Sequence, residues 1–189
     1  MKARHALAGL AAGALVLVGV GAGGAEAQTS GSTTKTAIAK SATGFDTYYF
    51  TNGALCLDAD YGTLHAKSTK VQMWACNSTS HQHWVFHLVD AGLSIYTITN
   101  VGADNKCLDA DSGTINHNGT IVHLYPCNNW EGQQWGLYPT SNPDVYILQN
   151  EASGRYLDAA TEKAGQNGDP VQLWDPSTGG SQYWQFPQP

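Results

Sequence analysis

The chain has 189 residues, a formal net charge of −6 at pH 7 and four cysteines. This length suits one domain with a sizeable hydrophobic core. The acidic balance argues against a nucleic-acid partner, because no basic stripe is present to neutralise phosphates.

The first segment, MKARHALAGLAAGALVLVGVGAGGAEAQ, has the three parts of a secretory signal peptide. Two basic residues precede an apolar run, and the small-residue pattern Ala25-Glu26-Ala27 follows it. The apolar run is too short and too rich in Gly and Ala to be a membrane anchor. We therefore predict that residues 1–27 are removed, and that the mature protein begins at Gln28 and is secreted, with no membrane span.

The next stretch, residues 28–43, is small, polar and free of aromatic residues, which is typical of a flexible leader or linker. From residue 44 onward the composition changes to aromatics, Gly-rich turns and short alternating runs. No part of it shows sustained helical periodicity. We therefore predict that residues 44–189 form one all-β domain.

This domain contains three copies of one unit of about fifty residues. The motifs C-L-D-A, C-L-D-A and Y-L-D-A contain Asp58, Asp109 and Asp158. An aromatic residue follows each aspartate at a separation of 16, and a Q-x-W tryptophan follows ten residues later. Because both spacings hold in all three copies, we interpret them as a threefold internal repeat, and we name the units first, second and third in chain order.

Alternation within the short strands predicts which side chains face the core. In V-Q-M-W, Val71 and Met73 share the aliphatic face, which must be the core face, while Gln72 and Trp74 share the other. The outward residues predicted in this way are the three aspartates and the aromatics Trp74, Tyr125 and Trp174. The Q-x-W tryptophans share a face with an apolar residue two positions on, so the predicted core tryptophans are Trp84, Trp135 and Trp184.

The repeated C-L-D and Q-x-W pattern resembles the ricin-type lectin family, which includes the family 13 carbohydrate-binding modules of secreted glycosidases. The likeness covers nearly all of residues 45–189. It implies a β-trefoil, in which three hairpins close one end of a six-stranded barrel with pseudo-threefold symmetry. It also implies a lectin that binds galactosides, xylan or related glycans and that works beside a secreted glycosidase.

The cysteines agree with this resemblance. Cys56 and Cys76 are twenty residues apart, as are Cys107 and Cys127 at the equivalent places of the second unit. The third unit has lost both cysteines together, which is what a bonded pair predicts. Each disulfide would add on the order of 3 kcal/mol in an oxidising exterior. A Cys/His zinc site is the alternative, although C-x-x-C spacing is lacking, and we predict no metal site.

The resemblance also implies which residues bind sugar. In the family, the aspartate accepts hydrogen bonds from two sugar hydroxyls, the outward aromatic stacks on the sugar ring, and the Q-x-W glutamine steadies the aspartate. The residues that match are Asp58, Trp74 and Gln82; Asp109, Tyr125 and Gln133; and Asp158, Trp174 and Gln182, with Gln72, His123 and Gln172 as further polar contacts. The alternative for each aspartate is a turn residue that caps backbone amides.

The units differ at the residue before the Q-x-W glutamine. The family usually has asparagine there, which reaches a sugar hydroxyl, but this chain has His81, Gly132 and Ser181. Glycine has no side chain to donate a hydrogen bond, whereas His81 and Ser181 can still bond to a sugar hydroxyl and are predicted binding residues. We therefore predict that the middle site, in the second unit, is the weakest of the three.

These observations favour a secreted, non-catalytic protein that binds glycans multivalently and needs no cofactor. A glycosidase needs two carboxylates within about 5 to 10 Å of each other, whereas the three aspartates belong to different units. Neither G-x-S-x-G nor H-E-x-x-H occurs. The alternative is a trefoil that acts on a protein through its loops, such as a protease inhibitor or a toxin accessory. The aspartate and aromatic of every unit argue against that alternative.

Overall fold

The structure is a computed structural model and describes residues 47–48, 50–160 and 165–186. The predicted signal peptide and the predicted linker therefore lie outside the described residues. Within those ranges the chain forms strands, turns and four short 3₁₀ helices, at Tyr61–Thr63, Ser80–Gln82, Glu131–Gln133 and Gly180–Gln182. The predicted all-β class is confirmed. No helix in these ranges is long and apolar enough to cross a membrane.

The described part of the chain contains thirteen strands. They are β1 (Thr47–Tyr48), β2 (Thr51–Asn52), β3 (Leu55–Ala59), β4 (Thr69–Ala75), β5 (Trp84–Asp90), β6 (Ile95–Asn100), β7 (Lys106–Ala110), β8 (Thr120–Pro126), β9 (Trp135–Pro139), β10 (Val145–Asn150), β11 (Tyr156–Ala159), β12 (Asp169–Trp174) and β13 (Trp184–Gln185).

The strands form a barrel and a cap of three hairpins. Six strand positions pair antiparallel in a ring, in the order β5, β6, β9, β10, β13 and the interrupted strand β1/β2. The hairpins β3–β4, β7–β8 and β11–β12 close one end, because β4, β8 and β12 also pair with one another. The start of each of these three strands lies beside the end of another. Each hairpin therefore ends next to the turn of a neighbouring unit.

Three tryptophans form the centre of the core, as the repeat predicts. Trp84, Trp135 and Trp184 are fully buried. Each indole Nε1–H donates at 3.0 Å to a backbone carbonyl, that of Leu57, Leu108 or Leu157 respectively. A buried indole N–H that lacks a partner is costly, so this bond lets a large apolar ring occupy the centre without penalty.

Two disulfides fasten the hairpins of the first two units. Cys56 is bonded to Cys76 and Cys107 to Cys127, each with a Cα–Cα distance of 5.1 Å. The predicted pairing is confirmed, and the zinc alternative is wrong because all four thiols are consumed.

Candidate functional site

Each unit presents its candidate residues on the outward face of its hairpin. The backbone register places Asp58 opposite Gln72, Asp109 opposite His123 and Asp158 opposite Gln172. The outward aromatic lies two residues beyond the Gln or His on the same face. Trp74 and Trp174 are 37% and 41% exposed, and Tyr125 is partly exposed. We call these clusters the first, middle and third sites.

The three aspartates are buried, although the alternation pattern predicts them to be outward residues. Asp58, Asp109 and Asp158 are only 6%, 5% and 6% exposed. They do point away from the core, but neighbouring side chains close over them and donate to both carboxylate oxygens. The aspartates are therefore the floor of the sites rather than their rim.

One carboxylate oxygen has an equivalent partner in every unit. The Oδ1 atoms of Asp58 and Asp158 accept hydrogen bonds at 3.2 Å from Gln72 Nε2 and Gln172 Nε2. In the middle site, His123 Nε2 lies 3.2 Å from Asp109 Oδ1. The sequence predicts Gln72, His123 and Gln172 as extra sugar contacts beside the aromatics. In the structure they orient the carboxylate across the hairpin.

The other oxygen, Oδ2, has a different partner in each unit. It accepts from Gln82 Nε2 at 3.1 Å in the first site and from Ser181 Oγ at 2.9 Å in the third. In the middle site the donor is Trp130 Nε1, at 3.0 Å from Asp109 Oδ2. Each carboxylate is thus held at both oxygens, and the second donor comes from the turn that precedes the core tryptophan.

Of the three Q-x-W glutamines, only Gln82 donates to the aspartate of its own unit. Gln133 Nε2 and Gln182 Nε2 donate instead to the backbone carbonyls of Pro126 and Asp175, at 3.1 and 3.0 Å. All three glutamines are fully buried, and their Oε1 atoms accept from the backbone N–H groups of Asn77, Asn128 and Ser177. Their common role is to fasten the segment after the hairpin.

Trp130 is a site residue that the repeat analysis missed. A Cβ atom added to Gly132 would lie 2.0 Å from Cζ2 of Trp130, so glycine at 132 is what lets the indole lie there. The middle site therefore has a second donor to its aspartate, which the prediction from Gly132 did not anticipate. A signal was available, because Trp130 alone of the six tryptophans falls outside the repeat pattern.

We call the first and third sites the outer sites, and the outward aromatic ring of a site its platform. The platform of each outer site adjoins a turn from another unit. Gly168 of the third unit faces the Trp74 ring, and Gly119 of the second unit faces the Trp174 ring. Both glycines have a positive φ, of 91° and 85°, which residues with a side chain rarely adopt. The asparagine before each glycine accepts a hydrogen bond from the backbone N–H that follows the tryptophan, in the pairs Asn167 with Ala75 and Asn118 with Asp175.

The middle site lacks this arrangement. The corresponding turn of the first unit is Lys67-Ser68, and Lys67 Nζ lies 5.1 Å from the centroid of the Tyr125 ring. The residue after Tyr125 is Pro126, which has no backbone N–H to donate a hydrogen bond to an asparagine. A cation over an aromatic face is attracted by the ring quadrupole. Lys67 therefore covers the platform of the middle site.

The first site has a second exposed aromatic ring. Tyr61 is 73% exposed, and its ring lies 5.3 Å from that of His81, centroid to centroid. The second unit has Ser112 at the equivalent position, so the repeat did not indicate it. Burial raises the pKa of Asp58 above its ordinary value, while the hydrogen bonds from Gln72 and Gln82 partly offset the rise.

A barrel capped by three hairpins, each carrying an anchored carboxylate and an aromatic ring on its outward face, defines the chain as a trefoil of the lectin type. The family profile described as ricin-type beta-trefoil lectin domain-like matches residues 36–125 and 80–174. The chain belongs to this family. A comparison with curated protein sequences finds no match.

Solved structures agree on the fold. The designed threefold-symmetric protein ThreeFoil is 22% identical with a TM-score of 0.66, and the match covers 74% of this chain and 96% of that one. A ricin B-like lectin from Macrolepiota procera, solved with lactose, is 19% identical with a TM-score of 0.63, over 79% of this chain and 99% of that one. An exo-beta-1,3-galactanase from Clostridium thermocellum has a TM-score of 0.70 at 19% identity, over 78% of this chain but only 31% of the enzyme. The predicted β-trefoil is confirmed.

Proposed function

We propose that the protein is a secreted, non-catalytic lectin that binds glycans multivalently, chiefly through its first and third sites. One observation carries this proposal. In all three units, hydrogen-bond partners contact both oxygens of a carboxylate, and an aromatic ring lies on the same face of the hairpin. An aspartate that only capped a turn would need no outward aromatic at a fixed separation.

The chemistry of one site suits a sugar. Each carboxylate oxygen accepts one protein hydrogen bond and keeps a second lone pair, so the two oxygens can accept from two neighbouring sugar hydroxyls. The aromatic ring can contact the apolar C–H face of the same sugar. Such a shallow site excludes water poorly. We therefore expect affinity for a monosaccharide to be about millimolar, or roughly −4 kcal/mol.

Useful affinity must then come from several sites that engage one polymer or one glycan-dense surface. Linking two weak sites raises avidity by a factor on the order of 10² without any new contact. The ligand class we propose is galactose-containing glycans, with xylan as the related alternative. The lactose complex of the Macrolepiota lectin supports galactosides. The match to part of a galactanase supports work beside a secreted glycosidase.

Secretion and the absence of catalysis are parts of the same proposal. Two disulfides suit an oxidising compartment, and secreted protein should begin at Gln28. A glycosidase would need a second carboxylate near Asp58. Asp60 lies near it, but Asp60 accepts a hydrogen bond from Thr63 Oγ1 at 2.9 Å and so has a local structural role. Purified protein should release no reducing sugar from polysaccharides that it binds.

The test is a double variant that removes both exposed platforms, Trp74→Ala with Trp174→Ala. Binding to galactan, xylan and polymer-linked lactose should fall by about 10², the avidity contribution, while circular dichroism stays native because both rings are exposed. Leu93→Ala, which truncates a 62% exposed side chain in the β5–β6 turn, is the matched control. Full glycan binding by the double variant, together with activity in a protease-inhibition panel, would favour the protein-binding alternative.

A further inference from the structure

The boundary between the first and second units contains a buried ammonium group. Lys106, in β7, is only 9% exposed. Its Nζ donates at 2.6 Å to the backbone carbonyls of Leu64 and Ala66, and at 2.7 Å to Thr69 Oγ1. The lysine belongs to the second unit and all three acceptors to the first. This boundary is therefore held together by one cation with three acceptors.

The next boundary is also occupied by a cationic side chain. Arg155 is the counterpart of Lys106 in the third unit. Its Nε donates to Asn118 Oδ1 at 3.1 Å and lies 3.2 Å from Asp175 Oδ1. These two boundaries thus each have a cation at the position of Lys106.

The third boundary, between the third and first units, is crossed by an exposed lysine, Lys70, whose Nζ donates to the backbone carbonyl of Gly168 at 3.5 Å. At the position of Lys106, however, this boundary has no cation, and a carboxylate stands opposite. Leu55 stands at the position of Lys106, and Asp169 stands at the position of Thr69. Asp169 is only 2% exposed, and its Oδ2 accepts from the backbone N–H of Gln166 at 3.2 Å. Its Oδ1 is buried and has no hydrogen-bond partner among the residues that the structure describes. A buried carboxylate oxygen left unpaired is strongly unfavourable.

A cavity of about 270 Å³ opens beside this carboxylate. That volume is several times the roughly 30 Å³ of a liquid water. Its walls include apolar side chains from both units, such as Leu55, Met73 and Ala159, and its polar lining residues are Asn52, Asp169 and Ser181. Gly53 and Ala54 also line it and are exposed, so a ligand can enter from the surface.

We propose that this cavity binds a primary ammonium group on a short aliphatic chain, with the carboxylate of the lining residue Asp169 as the counter-ion. The ammonium would lie at the place equivalent to that of Lys106 Nζ in the first boundary, and its carbon chain would contact the apolar side chains that line the cavity. A divalent metal suits the cavity poorly. Asp169 is the only carboxylate among the described lining residues, and no three His, Cys, Asp or Glu side chains in the described ranges converge on a metal position.

The experiment measures binding of n-butylammonium to the full chain by calorimetry and by the shift in melting temperature. Its neutral counterpart 1-butanol and the chlorides of sodium and calcium are the comparison ligands. Butylammonium should bind saturably and raise the melting temperature, while 1-butanol should do neither. Asp169→Asn, which keeps the shape of the side chain and removes the charge, should weaken butylammonium binding at least tenfold.

Leu55→Lys is the second variant, because it gives the third boundary the cation that Lys106 supplies in the first. This variant should be more stable than the natural chain and should no longer bind butylammonium. It also keeps the test decisive if Asp169→Asn fails to fold. Equal binding of 1-butanol, preferential binding of calcium, or undiminished butylammonium binding by Leu55→Lys would each overturn the proposal.

Discussion

The outer two sites and the middle site differ in ways that are linked to one another. Where the outer sites have tryptophan beside an Asn-Gly turn, the middle site has Tyr125 beside Lys67-Ser68. The backbone N–H that would donate a hydrogen bond to the asparagine is also missing there, because Pro126 follows Tyr125. Trp130 there takes the place of a polar side chain as donor to Asp109, and Gly132 leaves room for its indole. The middle site is therefore an alternative arrangement with its own internal fit, and not an eroded copy of the others.

Beneath the sites the three units remain alike. Trp84, Trp135 and Trp184 keep the same burial and the same hydrogen bond of 3.0 Å. The difference teaches that packing constrains all three units equally, whereas each surface has changed by local compensation.

The largest expected effect tests that likeness of the core. Trp135→Ala should lower the free energy of unfolding by about 3 to 5 kcal/mol, since it leaves a large cavity, and Trp84→Ala should do the same within the scatter. Urea denaturation followed by tryptophan fluorescence or circular dichroism measures both. Tyr125→Ala, a truncation at the surface of the same unit, should change stability far less. A much milder loss for Trp135 than for Trp84 would show that the second unit has diverged inside as well.

The next effect tests the role of Trp130. Trp130→Phe keeps an aromatic ring but removes the Nε1–H that donates to Asp109. A hydrogen bond to a charged group contributes about 1.5 to 3 kcal/mol, so we expect stability to fall by about that amount. Trp174→Phe, which alters an exposed ring, is the matched control. Equal stability of the two variants would mean that Trp130 contributes nothing to holding the carboxylate.

A smaller effect tests whether Lys67 covers the middle platform. In the Trp74→Ala, Trp174→Ala background only the middle site keeps its ring. Because an exposed cation–π contact is weak, Lys67→Ala should strengthen the residual glycan binding only modestly, by about two- to fivefold. Lys70→Ala, at an exposed lysine nearby in sequence, is the control. Unchanged or weaker binding after Lys67→Ala would show that the lysine does not compete with the sugar.

The sequence predicts the scaffold better than the contacts, for a physical reason. Every unit must fill the same core, so the spacing to Trp84, Trp135 and Trp184 repeats and is visible in the chain. The donor to the second aspartate oxygen is whichever side chain reaches it, which depends on turn geometry that spacing does not specify. That is why Gln82 donates to Asp58, whereas Trp130 and not Gln133 donates to Asp109. Lys67 over Tyr125 joins two units, so no motif within one unit could indicate it.

Alternation has a similar limit. It predicts the direction in which Asp58 points, but not its burial. Burial depends on Gln72 and Gln82 closing over the carboxylate, and this closure follows from the hairpin register and the turn that precedes Trp84.

The smallest effect concerns the pH at which the first site works. Burial raises the pKa of Asp58 above its ordinary value of 3.8, although hydrogen bonds from Gln72 and Gln82 offset part of the rise. Only the ionised carboxylate can accept from two sugar hydroxyls. As the pH falls, the first site should therefore lose half of its binding at a pH above 3.8. Calorimetry over roughly pH 3 to 7 on a Tyr125→Ala, Trp174→Ala variant, which keeps only the first platform, measures this midpoint.

The stability contributed by Asp58 should change in the opposite direction. Because its pKa is higher in the folded state than in the unfolded state, ionisation favours unfolding. The contribution is fully present below the unfolded pKa and is lost as the pH rises through the folded one. Asp58→Asn should remove both pH dependences together, and denaturation at matched pH values measures the second. If the binding midpoint fell at or below 3.8, or if stability rose through this window because of Asp58, then hydrogen bonds and not burial would dominate at the floor of the first site. The buried aspartate would in that case be a pre-organised acceptor that costs the fold nothing.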